Sequence, residues 1–148
     1  MKRLFLCIAL MVIALAIFSK EIERRIYQTS FTREAPLIDG LMNDSCWGLV
    51  EWSGNFIQTT PYENQPPTQQ TAFKILYDDN HLYVLIRAYD TEANKISKIL
   101  SRRDGFEGDL VEINIDSYFD KQTAFSFSAM ASGAKGDEAV SLNGNSWD

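Results

Sequence analysis

Histidine and cysteine are almost missing from this chain. His81 is the only histidine, and Cys7 and Cys46 are the only cysteines. Cys7 falls in an N-terminal apolar run read below as a cleaved leader, so one thiol remains and no intramolecular disulfide can form. A Cys–His nucleophile is equally poorly supplied, because His81 sits in a turn-like Asp78-Asp79-Asn80-His81 run. Positive charge is short as well. Lysine and arginine number 14 against 20 acidic residues, giving a net charge of −6. Such a chain is a poor partner for nucleic acid or an anionic membrane surface, which leaves neutral polymers and divalent cations as better matches. There is no internal repeat, no low-complexity tract and no EF-hand spacing. Proline is scarce and clustered: three of the four prolines fall between Thr60 and Thr68.

The N-terminus carries an export pattern. Lys2 and Arg3 precede an unbroken apolar run from Leu4 to Phe18, and Ala14-Leu15-Ala16 supplies an A-x-A cleavage site, with Ser19 a second boundary. The run falls short of the roughly 20 apolar residues that a membrane span needs. Residues 1–19 therefore read as a signal peptide and 20–148 as one mature domain, destined for the periplasm, the outer membrane or the exterior. About 130 residues suffice for a single core.

Past the leader nearly every apolar pattern has period two. Ile26 to Phe31, Asn55 to Thr59, Thr71 to Tyr77, Leu82 to Tyr89, Val111 to Ile115, Phe125 to Ala129 and Asp137 to Leu142 read as strands. Asp78 to His81 closes the clearest hairpin. Asp39-Gly40 makes a turn, after which Asn43 or Asp44 caps a short helical turn carrying Cys46, Trp47 and Val50. Thr60 to Thr68 is a rim loop, since its prolines remove ladder donors, and Thr91 to Leu100 is a short helix or an irregular crossing. Seven or so short strands with little helix predict an all-β, antiparallel β-sandwich. The chain stops in the polar run Leu142 to Asp148, which predicts a C-terminally truncated sandwich with an unpaired edge.

The run Ile38 to Trp47 (IDGLMNDSCW), then Thr71 to Asp79, Leu82-Tyr83-Val84, Asp90, Arg103-Asp104, Gly108-Asp109 and Ile115-Asp116 occur in an order that resembles the carbohydrate-binding module family 9-like domain. More narrowly, it looks like the form at the N-terminus of large exported proteins of Bacteroidetes-type bacteria, whose remainder is expected to form an outer-membrane β-barrel. The resemblance spans about Ile26 to Asp148. It implies a sandwich longer than this chain, and a plant polysaccharide of the xylan or cellulose type as partner. It also implies chain ends held between two Trp faces, with calcium nearby.

Sugar binding needs flat aromatic faces and planar polar groups for hydroxyls. Trp47, on the capped turn, reads first as core. Trp52, flanked by polar and small residues, and Trp147, in the terminal loop, are the candidate faces. Tyr62 on the proline-rich loop is a third, and Gln58, Gln65, Arg102 and Asp109 are candidate hydroxyl partners; the plainer reading of each is a solvated loop residue. Asp104, Glu107 and Asp109 form a candidate calcium set, with Asp116 and Asp120 further along. Against it, Arg103 and Asp104 make an ordinary loop ion pair, and Asp109 simply bonds backbone amides. A glycosidase would need two carboxylates facing one another about 5–9 Å apart. Acidic residues here scatter over turns and outward strand positions, so a non-catalytic module is expected. The alternatives are a protein-docking module attached to an outer-membrane barrel and a glycoside hydrolase fragment.

Overall fold

The computed structural model describes residues 25–148, so the expected signal peptide lies outside the described residues. Among the described residues seven strands form two sheets. The first holds β1 (Ser30–Phe31), β2 (Thr71–Tyr77) and β3 (Leu82–Ala88) in that order. The second holds β4 (Leu110–Ile115), β5 (Ala124–Met130), β6 (Lys135–Ser141) and β7 (Ser146–Trp147), also in chain order. The architecture is the expected all-β sandwich, and the β2–β3 hairpin pairs Thr71 with Ala88 through Tyr77 with Leu82.

Four local expectations are corrected. The pairing is not antiparallel throughout, because β1 runs parallel to β2. Only two residues of the expected strand from Ile26 to Phe31 join that ladder; side chains tie the rest. Thr29 donates to the Ile75 carbonyl at 2.7 Å, while the Tyr27 hydroxyl donates to the Glu51 carbonyl at 2.8 Å and accepts the Ile75 amide at 3.2 Å. The segment from Asn55 to Thr59 is not a strand. Ser53 alone bridges Phe73, and Asn55 at φ +59° then turns the backbone out of the extended region. In the short helical turn, a 3-10 helix over Ser45–Leu49, Asp44 occupies the cap position but gives no side-chain cap bond. Its Oδ1 accepts the Leu37 amide at 3.3 Å, tying down the preceding chain instead.

That turn builds the best-packed core. Cys46, Trp47 and Val50 are buried against Leu76, which is wholly inaccessible, with Tyr27, Tyr83 and Leu85 packed around them. Leu76 pairs with Tyr83 and Lys74 with Leu85, so one face of β2–β3 carries this cluster. The opposite face presents Phe73, Ile75, Val84 and Ile86 to β4 across an open apolar gap of about 500 Å³. The gap continues as a second cavity of about 340 Å³ past Trp47 towards Phe127 and Ala129.

In the second sheet Val111, Ile113 and Ile115 pair with Ala129, Phe127 and Phe125 and share the gap-facing side, as their alternation predicts. Burial runs against hydrophobicity on β5. Ser126, Ser128 and Met130 are buried, whereas Phe125 and Phe127 remain largely exposed. The cause lies behind the sheet, where the segment after Ser101 folds over β6. A side chain on Gly136 would meet Ser128 Oγ at 2.7 Å and the Phe106 ring at 3.1 Å. Glycine is needed there for the Phe106 ring to cover Ser128. Asp104, at φ +61°, plugs the edge of β6: its amide donates to the Lys135 carbonyl at 3.2 Å and its carboxylate accepts the Asp137 amide at 3.1 Å.

Candidate functional site

The three tryptophans take different environments. Trp47 is 6 % exposed and belongs to the core, as its place on the helical turn predicts. Trp52 is 40 % exposed, on a segment pinned to the sheet by the two Ser53–Phe73 backbone bonds. The Lys74 ammonium lies 5.1 Å from the Trp52 ring centroid and also donates to the Trp47 carbonyl at 2.6 Å. This is a cation–π contact that holds the indole in place, worth about 0.5–1 kcal/mol at such a site. Trp147 is 48 % exposed on β7, and its indole N–H donates to the Gly144 carbonyl at 2.9 Å, which fixes the ring's orientation. Trp52 and Trp147 thus lie on separate elements, one beside the β2–β3 sheet and one on β7.

Tyr62 is 68 % exposed in the proline-rich loop, which contains a cis Thr60–Pro61 bond. Gln58 closes that loop. Its side-chain amide donates to the Pro66 carbonyl at 2.6 Å, and its backbone pairs with Gln65 and Asn64. One donor of the amide that sequence reasoning offered to a sugar hydroxyl is therefore used by the loop itself. Arg102 is exposed, and its carbonyl accepts the Gly105 amide at 3.1 Å.

Asp109 Oδ2 accepts the Ser97 amide at 3.0 Å, while the Asp109 amide donates back to the Ser97 carbonyl at 3.0 Å. Gly108, at φ +85° with the Ser97 carbonyl where a Cβ would stand, permits that approach. Asp104 is used at the β6 edge and lies 3.7 Å from Arg103, whose guanidinium also pairs with Asp137. Glu107 is exposed. Among the described residues no three His, Cys, Asp or Glu side chains gather as a metal-binding group. One oxygen each of Asp104 and Asp109 is already used by the Asp137 and Ser97 amides.

Three further carboxylates, Asp116, Asp120 and Asp78, are also occupied. Asp116 accepts the Asp120 and Lys121 amides, and Asp120 accepts the Gln122 and Thr123 amides and the Thr123 hydroxyl. Those bonds to the charged form hold the Asp120 carboxyl below its ordinary range. Asp78 is held well below the usual carboxylate range, first by the Tyr83 hydroxyl at 2.6 Å and then by the Asn80 and His81 amides. The same bond raises the Tyr83 phenol. His81 is spent here too, with Nδ1 3.2 Å from Asp78. Burial, and then the Asp44 charge, push the Cys46 thiol up, the reverse of what a nucleophile needs.

Two features escaped sequence reasoning. Lys74 reads as a strand residue, and only tertiary packing sets its ammonium against Trp52. Tyr118 and Phe119, 73 % and 75 % exposed at the tip between β4 and β5, read as turn residues. The available signal was an aromatic pair bracketed by the turn-forming Asp116 and Asp120.

A family model described as carbohydrate family 9 binding domain-like matches residues 38–146. No curated protein and no solved structure matches the chain.

Proposed function

Because this chain belongs to the carbohydrate family 9 binding domain-like family, we propose that it is a non-catalytic module of an exported protein that binds plant polysaccharide of the xylan or cellulose type on Trp52. The observation that carries the reading is the division of labour among the indoles. Trp47 is buried, whereas Trp52 keeps 40 % of its surface in water although Lys74 and the Ser53–Phe73 bridge hold it in place. A fixed, half-exposed indole offers an apolar face to the C–H surface of a pyranose at little entropic cost. The Lys74 ammonium beside it is a donor for a sugar hydroxyl. Trp147 is a second platform, and the exposed Arg102 supplies a further planar donor. Gln58 and Asp109 are given no part in the reading, since Gln58 Nε2 already donates to the Pro66 carbonyl and Asp109 Oδ2 already accepts the Ser97 amide. A single stacked ring supports weak binding, so the expected dissociation constants are millimolar.

Calorimetric titration with xylan and cellulose oligosaccharides tests the proposal. Heat and a Trp fluorescence change at millimolar sugar are expected, both lost in Trp52→Ala and reduced in Trp147→Ala. Absence of heat and of any fluorescence change at those concentrations would sink it.

A further inference from the structure

Lys74 and Arg87 share one face of the β2–β3 hairpin. Lys74 pairs with Leu85 and Ala72 with Arg87, and these alternate positions point to the same side of the sheet. The two cations therefore stand at diagonal cross-strand positions, about 7–8 Å apart on such a ladder. Their face is the one that carries the Trp47 cluster, opposite to the Phe73 and Ile75 face that lines the gap. Ser53 and Phe73 exchange backbone bonds at 3.0 and 2.8 Å, a register that sets Trp52 opposite Lys74 and Gly54 opposite Ala72. Each cation also lies over an aromatic ring. The Lys74 ammonium is 5.1 Å from the Trp52 centroid, and the Arg87 guanidinium is 4.6 Å from that of the exposed Tyr89. Between the two, Gly54 and Ala72 supply almost no side chain.

Both charges lack a counter-charge. Among the described residues neither Lys74 nor Arg87 forms an ion pair with a carboxylate, although acidic residues outnumber basic ones 20 to 14. By contrast, Lys95 pairs with Glu92, and Arg103 with Asp104 and Asp137. Asp90, beside Tyr89, accepts the Glu92 amide at 2.6 Å. Lys74 is half-buried with one N–H on the Trp47 carbonyl at 2.6 Å, which leaves two donors. A cation drawn part-way out of water ordinarily has an anion beside it, and like charges that are close neighbours on a sheet face repel.

We propose that this face takes a xylan-type oligosaccharide bearing an isolated uronic acid, its carboxylate held between Lys74 and Arg87 and its neutral rings against Trp52 and Tyr89. This assignment rests on Trp52 being the sugar platform and adds a charge to the ligand. The planar fork of Arg87 matches both oxygens of a carboxylate, while the Lys74 ammonium acts as a point charge. Aromatic rings beside both cations suit the C–H faces of pyranoses, which a small inorganic anion would leave unused. A chain of net charge −6 repels a polymer charged at every unit, so a single acid on a neutral chain fits best.

The probes are xylohexaose and the same oligomer carrying one glucuronic acid, titrated calorimetrically into the full chain at low ionic strength. The acidic oligomer should bind about fivefold tighter, the scale of two exposed ion pairs. That advantage should vanish in about 1 M salt, where the screening length is about 3 Å. Arg87→Gln, an exposed change, should remove most of the preference, Arg87→Lys should keep part of it, and Arg87→Glu should reverse it. Equal millimolar binding of both oligomers would overturn the carboxylate site and leave the Trp52 platform standing, whereas binding of neither would overturn both. An unchanged preference in Arg87→Glu would also refute it. A galacturonic acid oligomer that bound as tightly as the singly charged probe would overturn the choice of a neutral chain.

Discussion

Trp47→Ala and Trp52→Ala should separate folding from binding. Trp47 is 6 % exposed, so nearly its whole side chain, about 200 Å² for an aromatic of this size, leaves water on folding. At about 25 cal/mol per Å² that is about 5 kcal/mol, an upper estimate given a compact unfolded chain. Large-to-small core substitutions of this kind cost about 3–5 kcal/mol, cavity included. A single domain has about 5–15 kcal/mol in all, so Trp47→Ala should lose a large fraction of the stability. Trp52 keeps 40 % of its surface in water. Its buried three-fifths correspond to at most about 3 kcal/mol on the same scale, with no enclosed cavity to add. Urea unfolding followed by far-UV circular dichroism should therefore show a much lower midpoint for Trp47→Ala and a modest shift for Trp52→Ala. Sugar titration should show the reverse order of damage per kcal/mol lost. A Trp52→Ala variant less stable than Trp47→Ala would refute the assignment of the core to the helical turn.

Asp78 has a depressed folded-state pKa, so its contribution to stability is present above the unfolded value near 3.9 and is lost as pH falls through the folded value. Asp78→Asn should lower the thermal midpoint at pH 7, with the gap to the unmodified chain narrowing below about pH 4; a gap constant from pH 7 to pH 2 would contradict the Tyr83–Asp78 bond. Gly136→Ala sets a methyl 2.7 Å from Ser128 Oγ and 3.1 Å from Phe106, and should cost about 1–3 kcal/mol as an overpacked site. Phe106→Ala in the same chain should recover part of that loss, and strict additivity in urea unfolding would show that the two residues do not touch. Asp104→Ala leaves the Asp137 amide without its carboxylate at a left-handed position, a loss of about 1–2 kcal/mol. Asp104→Asn keeps both features and should lose much less, and equal losses would contradict the edge plug.

Strand positions were legible where alternation and turn chemistry agreed. The β2–β3 hairpin follows from two period-two runs around Asp78 to His81, and Trp47 follows from its capped turn. Asn55 to Thr59 misled because a single Asn at positive φ outweighs a short apolar alternation. The site was less legible still. Gln58, Asp104 and Asp109 have the chemistry of ligand contacts, yet each is consumed by a backbone partner distant from it along the chain or across its own loop. No local pattern distinguishes a spent carboxylate from a free one.

Periodicity by itself pointed to a β-sandwich, and the order of the short motifs carried the resemblance to the carbohydrate family 9 binding domain-like family. These follow from residue type and spacing, which are local. Only the tertiary structure decided which faces are covered. It buried Ser126 and Ser128 beneath the segment bearing Phe106 and left Phe125 and Phe127 at an open gap. It also set Lys74 against Trp52. Burial and hydrogen-bond partnership depend on what arrives from elsewhere in the chain, and alternation along a strand carries no record of that.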